Sequence, residues 1–290
     1  MKKFIRYILI VTASALLLMA LLDAAFTYVY STSPPRNKIQ YIMRLEPQKI
    51  DYVFLGSSRT ANHIATDEVT RITGKPAINL GMEGAVLQDN LLQLKLLLDK
   101  EIKMEKVFVQ VDYIYEIGNV SNIANSAALP FIHNDVVSEH LKPQLNNFSA
   151  SYHIPFYRYL IADFAIGFRE FTLTMFKKKP RIDLADGFIP KIGSEKLTKY
   201  TLPDSIAKNN VARSAISELC AQNNIKLILF CAPFCSKTEN ADYIERLKEK
   251  LPDLRDYSKA VDDSLFFNCG HLNEQGARHF TRMLVADVLN

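Results

Sequence analysis

Two short segments carry the residue types of nucleophilic catalysis: Gly56-Ser57-Ser58-Arg59 and, far downstream, Asn268-Cys269-Gly270-His271. A serine hydroxyl is a weak nucleophile until a neighbouring base takes its proton, and histidine is the commonest such base. Either Ser57 or Ser58 could equally be a helix cap, because serine is favoured where a helix begins. The six histidines, at 63, 133, 140, 153, 271 and 279, show no metal-ligand spacing. No metal site and no cofactor is expected from them.

The elements around these segments decide whether they meet. Asp51-Tyr52-Val53-Phe54-Leu55 is a short apolar run ended by glycine, which reads as a strand over 50–55 feeding a tight turn. Further strands are expected at 76–81, 106–112, 226–233 and 265–267. Helices are expected at 85–100, with an apolar stripe at spacings of three and four, at 205–222 and 273–289, with apolar faces, and at 240–250, where the helix is charged. Strands alternating with helices imply an α/β fold, a three-layer α/β/α sandwich of flavodoxin-like type around a parallel sheet. His271 then sits at a strand-to-helix junction on the same carboxyl edge as the serine turn, where ligands bind in such sheets.

Residues 117–205 break this rhythm and read as a mostly helical or irregular insertion. Within them, 156–176 holds Phe156, Tyr157, Tyr159, Phe164, Phe168, Phe171 and Phe176, and Lys177-Lys178-Lys179 follows. This is either an amphipathic helix lying on a membrane or over the active site, or a helix packed on a core before a solvated basic turn.

The N-terminus bounds the compartment. Lys2, Lys3 and Arg6 precede an uncharged stretch from Tyr7 to Leu22, and apolar character resumes after Asp23 as far as Tyr30. That length suits a membrane span, with Tyr28 and Tyr30 expected in an interfacial aromatic belt. The expectation is a single-pass anchor over 1–31, its N-terminus cytoplasmic, and a domain over 32–290 that is periplasmic or extracellular. A signal peptide cleaved near Ala24 or Ala25 is the alternative. A net charge of +4 does not argue for nucleic acid. Cys220, Cys231, Cys235 and Cys269 either pair, with Cys235–Cys269 one conceivable staple for the histidine loop, or stay as thiols.

These segments resemble the SGNH, or GDSL-type, hydrolase superfamily. Its first block matches Phe54-Leu55-Gly56-Ser57-Ser58-Arg59-Thr60, which puts the family nucleophile on Ser58. Its glycine block matches Asn79-Leu80-Gly81-Met82-Glu83-Gly84, which puts a backbone oxyanion donor on Gly81. Its last block matches Asn268-x-x-His271, with His271 as the base. Together with the anchor, the match is to the membrane-tethered branch that includes the D-alanine transfer protein of teichoic acid modification and the alginate-acetylation proteins. The third block is not recognisable at Val109-Gln110-Val111-Asp112-Tyr113, which leaves a second oxyanion donor unassigned. Asn268 stands where the family has aspartate, and Asp262 or Asp263 could take its place.

The resemblance implies a membrane-anchored serine acyl esterase or O-acyltransferase working through an acyl-serine on an envelope or exported glycan. It also implies an acyl donor or acylated glycan as ligand and a membrane acyltransferase as a partner. The alternative is a catalytically weak or inactive glycan-binding or assembly protein of the same fold, which Asn268 favours.

Overall fold

The computed structural model describes residues 1–118 and 121–289, so 119 and 120 of the irregular stretch lie outside the described residues. The chain divides into two compact units, 1–44 with 122–180, and 45–121 with 181–290. The irregular stretch is thereby split: most of it joins the N-terminal helix, and 181–205 belongs to the α/β unit.

The α/β unit is built on five parallel strands, β1 (Tyr52–Leu55), β2 (Ala77–Asn79), β3 (Lys106–Gln110), β4 (Lys226–Cys231) and β5 (Arg255–Asp256). Their order across the sheet is β2-β1-β3-β4-β5. Phe54 pairs with Phe108 and Phe108 with Ile228, so the three central strands run in step. Alternate strand residues point to opposite faces. Tyr52, Phe54, Phe108 and Phe230 form one apolar face and pack with Phe280, Leu284 and Val285 of the C-terminal helix Glu274–Val288. Val53, Leu55, Val107 and Val109 form the other and are equally buried. Helices Leu87–Asp99 and Val211–Gln222 pack side by side and bury Leu91, Leu94, Leu97 and Ile216. Burial on both faces explains why the strands read as unbroken apolar runs.

Two expected elements change. The run at 265–267 is not a sheet strand: Phe266–Asn268 (β6) and His271–Leu272 (β7) form a separate antiparallel hairpin. The fifth strand is instead Arg255–Asp256, only two residues long and exposed, with no apolar pattern to betray it.

In the other unit, one helix runs from Lys2 to Thr32 and is long and apolar enough to cross a membrane. Its first two thirds are exposed, but the last third is packed. Asp23, the one acid in the apolar run, binds Arg158 at 2.9 Å and accepts the Phe156 N–H at 2.8 Å. Thr27 joins this cluster through Arg158 and the Tyr159 hydroxyl. Phe26 stacks on Phe171. Tyr30, expected in an interfacial belt, is buried and donates to the Ile166 carbonyl at 3.0 Å; Tyr28 stays exposed. Cleavage near Ala24 or Ala25 would remove Asp23 and leave the buried Arg158 without its partner, at about 3–5 kcal/mol.

The aromatic segment is three short helices, Tyr157–Ile161, Asp163–Ile166 and Phe168–Met175. Gly167, in an extended conformation, breaks the run, and Asp163 Oδ1 accepts the Phe168 N–H there. Tyr159 and Ile166 are buried, whereas Phe164, Phe168 and Phe176 are exposed. Neither expected reading as one helix holds: the segment is broken, with a covered and a bare side.

Candidate active site

At the end of β1 the chain turns through Gly56 into helix Ser58–His63. A side chain at Gly56 would fall within 2.0 Å of Thr60 Oγ1 and 2.7 Å of Gln110 Oε1, so only glycine fits this turn. Ser57 is the helix cap. It is buried, its Oγ accepts the Arg59 N–H, and it donates to Gln110 Oε1 at 2.8 Å. Ser58 is the next residue and points the other way: its Oγ lies 2.9 Å from His271 Nε2. The two serines thus differ: Ser57 caps the helix, whereas Ser58 faces the His271 ring.

His271 opens β7, two residues before the cap of the C-terminal helix. Its Nδ1 lies 3.1 Å from Asn268 Oδ1, and the Gly270 N–H donates to the same Oδ1 at 3.2 Å. A backbone N–H requires an oxygen opposite it, which fixes the orientation of the Asn268 amide. Oδ1 then accepts from Nδ1–H, and Nε2 is left with a lone pair toward Ser58. Asn268 therefore sets the tautomer that an aspartate would set, without its charge. Asp262 and Asp263 do not take that place: Asp262 caps Ser264, and Asp263 accepts from Ser236.

Burial pushes the His271 imidazole down to about 4, with the positive charges of Arg59 and Lys191 adding to it and Glu83 opposing. Between pH 6.5 and about 4 the unfolded chain takes up a proton that the native ring refuses. This group therefore weakens the fold as pH falls through that window. His63 lies behind His271, fully buried, and its Nε2 accepts the Leu272 N–H at 3.0 Å. Burial holds it far below the ordinary histidine range, which keeps it neutral and an acceptor.

Gly81 follows shortly after β2 and lies against the start of helix Ser58–His63. A side chain there would come within 2.4 Å of Ala61 N and 2.9 Å of Ser57 O. Its N–H, however, donates to Asn79 Oδ1 at 3.0 Å, and Asn79 Nδ2 in turn holds the Thr60 and Ile64 carbonyls. That bond takes up the hydrogen which the resemblance assigns to an oxyanion. Glycine is required here for close approach.

Sequence reasoning missed the support beneath the site. Arg59 is buried, pairs with Asp112 at 3.0 Å, and donates to the carbonyls of Gly270, Ala232 and Pro233. Its guanidinium stacks 3.6 Å above the Phe234 ring. Gln110 bridges the two halves: Nε2 donates to Asp112 Oδ2 at 2.7 Å while Oε1 receives Ser57. One arginine thus joins the turn that carries Ser58 to the residue before His271. The sequence signal was a pair of polar residues, Gln110 and Asp112, alternating with valine at the end of an apolar strand.

Cys235 and Cys269 form a disulfide, while Cys220 and Cys231 are buried thiols. The bond ties the histidine loop to the end of β4 across 34 residues, a loop closure of about 4 kcal/mol in the chain-entropy account. A cavity of 490 Å³ lies beside it, lined by Leu202, Phe234, Ser236, Ile244 and Asp263; Ser58 and His271 are not part of its wall. Among the described residues no cluster of histidine, cysteine and carboxylates could hold a metal ion. No protein-family model and no curated protein matches the chain.

Proposed function

We propose that the protein is a membrane-anchored serine acyl esterase or O-acyltransferase of SGNH type, acting outside the cytoplasm on an envelope or exported glycan. The observation that carries this reading is the relay Ser58 Oγ, His271 Nε2, His271 Nδ1, Asn268 Oδ1, with steps of 2.9 and 3.1 Å. A structural serine and histidine have no need of that alignment. The long apolar helix and the disulfide support the location, since disulfides persist in oxidising, extracytoplasmic compartments.

In the proposed reaction His271 Nε2 takes the Ser58 proton as Oγ attacks an ester carbonyl carbon. The tetrahedral oxyanion collapses, the leaving alcohol takes that proton from His271, and an acyl-serine remains. A water or a sugar hydroxyl then gives its proton to Nε2 and its oxygen to the acyl carbon, which frees Ser58. The Ser58 N–H, in the first helical turn where no intrahelical acceptor exists, is the oxyanion donor. In the serine-protease template an asparagine in the acid position lowers turnover by about 10⁴ because the wrong tautomer results. Here Gly270 holds the amide in the productive orientation, so only the stabilisation of the imidazolium is lost.

A phosphonate ester that labels activated serines tests the reading. Wild-type protein should be labelled and Ser58→Ala should not; a folded wild type that resists labelling would sink it, leaving the non-catalytic reading that the neutral Asn268 favours.

The rate should also report the base. Hydrolysis of a chromogenic acetyl ester should lose activity only below a limb near pH 4, where His271 protonates. In Asn268→Asp the added carboxylate should raise that limb by about 1–3 units, as an opposite charge at hydrogen-bond distance does. An unmoved limb would mean that residue 268 does not orient the base.

A further inference from the structure

The bare side of the broken aromatic segment has no partner within its unit, yet its place on the chain is unusual. The N-terminal helix presents an exposed, uncharged and mostly apolar surface from Tyr7 to Leu21. At 1.5 Å per residue those residues span about 22 Å, most of the roughly 30 Å hydrocarbon thickness of a bilayer. Asp23 is the first polar group beyond it, and it is held by the Phe156 N–H and Arg158. The helix Tyr157–Ile161 is therefore tied to the level at which the apolar surface ends. Leu160 and Phe164, exposed by 58% and 75%, follow from that point. Phe171 stacks on Phe26, one helical turn past Asp23, and its neighbour Phe168 is 73% exposed.

Solvent is a poor explanation for three bare large apolar groups held at the mouth of a membrane helix. The charges nearby agree: Arg169, Lys177, Lys178 and Lys179 are exposed, against one exposed acid, Asp163. We propose that Leu160, Phe164 and Phe168 form a second membrane contact, inserted into the headgroup and acyl boundary of an anionic leaflet beside the N-terminal helix. The inference rests on that helix being a retained anchor. Its consequence is mechanical. A lone span leaves its unit free to swivel, whereas a span with an interfacial foot fixes the unit's tilt on the membrane.

The chain contains no tryptophan, so single substitutions give an unambiguous probe. Full-length Phe164→Trp, Phe168→Trp and, as the anchor control, Leu17→Trp are placed in nanodiscs of anionic lipid brominated either high or low on the acyl chain. An interfacial side chain lies only about 5–10 Å into the boundary, so residues 164 and 168 should lose about two-fold of their emission to the high bromines and less to the low ones. Leu17→Trp should respond to the low bromines. If Leu17→Trp is quenched while 164 and 168 emit like free N-acetyltryptophanamide, the contact is overturned and the bare face belongs to a protein partner. If Leu17→Trp is also unquenched, the anchor itself is refuted and the contact falls with it.

Discussion

Replacing His271 with alanine should lower ester turnover by about 10²–10⁴-fold, the usual range for a positioned general base. Ser58 Oγ would then lose the acceptor now 2.9 Å away. The loss should not grow when Ser58→Ala is added, because residues acting as one unit are far from additive. The ring packs against the buried His63 edge to face, so circular dichroism should be recorded alongside to show that the fold survives. Added imidazole should restore part of the rate at low occupancy of the vacated site. Wild-type and His271→Ala proteins with the same background rate would remove the catalytic reading and leave a binding or assembly role.

Removing Asp112 should have the largest effect on stability. Its carboxylate is buried, accepts from both Arg59 Nε and Gln110 Nε2, and has no exposure to water that could absorb the change. Asp112→Ala strands a buried guanidinium, a loss of about 3–5 kcal/mol. Against a total stability of about 5–15 kcal/mol for an ordinary domain, that is enough to unfold much of the protein. Urea denaturation followed by circular dichroism measures it. The same variant loosens the arm that holds the Gly270 carbonyl, so phosphonate labelling of Ser58 should slow under conditions where the fold persists. A midpoint within experimental error of wild type would show that the Arg59–Asp112 pair carries no structural weight.

Both predictions concern groups that differ in how visible they are along the chain. Ser58 is legible because it follows a sheet strand ended by a turn residue; His271 also follows an apolar run, but that run is a separate hairpin, and packing rather than a strand end brings the ring to Ser58. Arg59 and Asp112 are not legible. A single arginine among polar neighbours has the same appearance whether it is solvated or spans three segments, and its partners at 232, 233 and 270 are distant in sequence. The fate of Gly81 shows the same limit. A glycine at a strand end is easy to see, but the folding back of Asn79 onto its N–H depends on where Thr60 and Ile64 lie. The fifth strand, Arg255–Asp256, escaped because a two-residue exposed edge strand has no apolar period to detect. The hairpin Phe266–Leu272 was mistaken for a sheet strand for the opposite reason: its apolar run is real, but it pairs with itself.

The chain alone determined the alternation of strands and helices, the apolar N-terminal helix, and the two segments that carry the serine and the histidine. These follow from periodicity and turn chemistry, which act over a few residues. Only the tertiary structure decided which serine caps and which reaches the imidazole, how a neutral asparagine is held in the right orientation, and that Asp23 has Arg158 to meet. Those outcomes depend on hydrogen-bond partners brought together from distant segments, and a buried polar group takes whichever partner the packing provides.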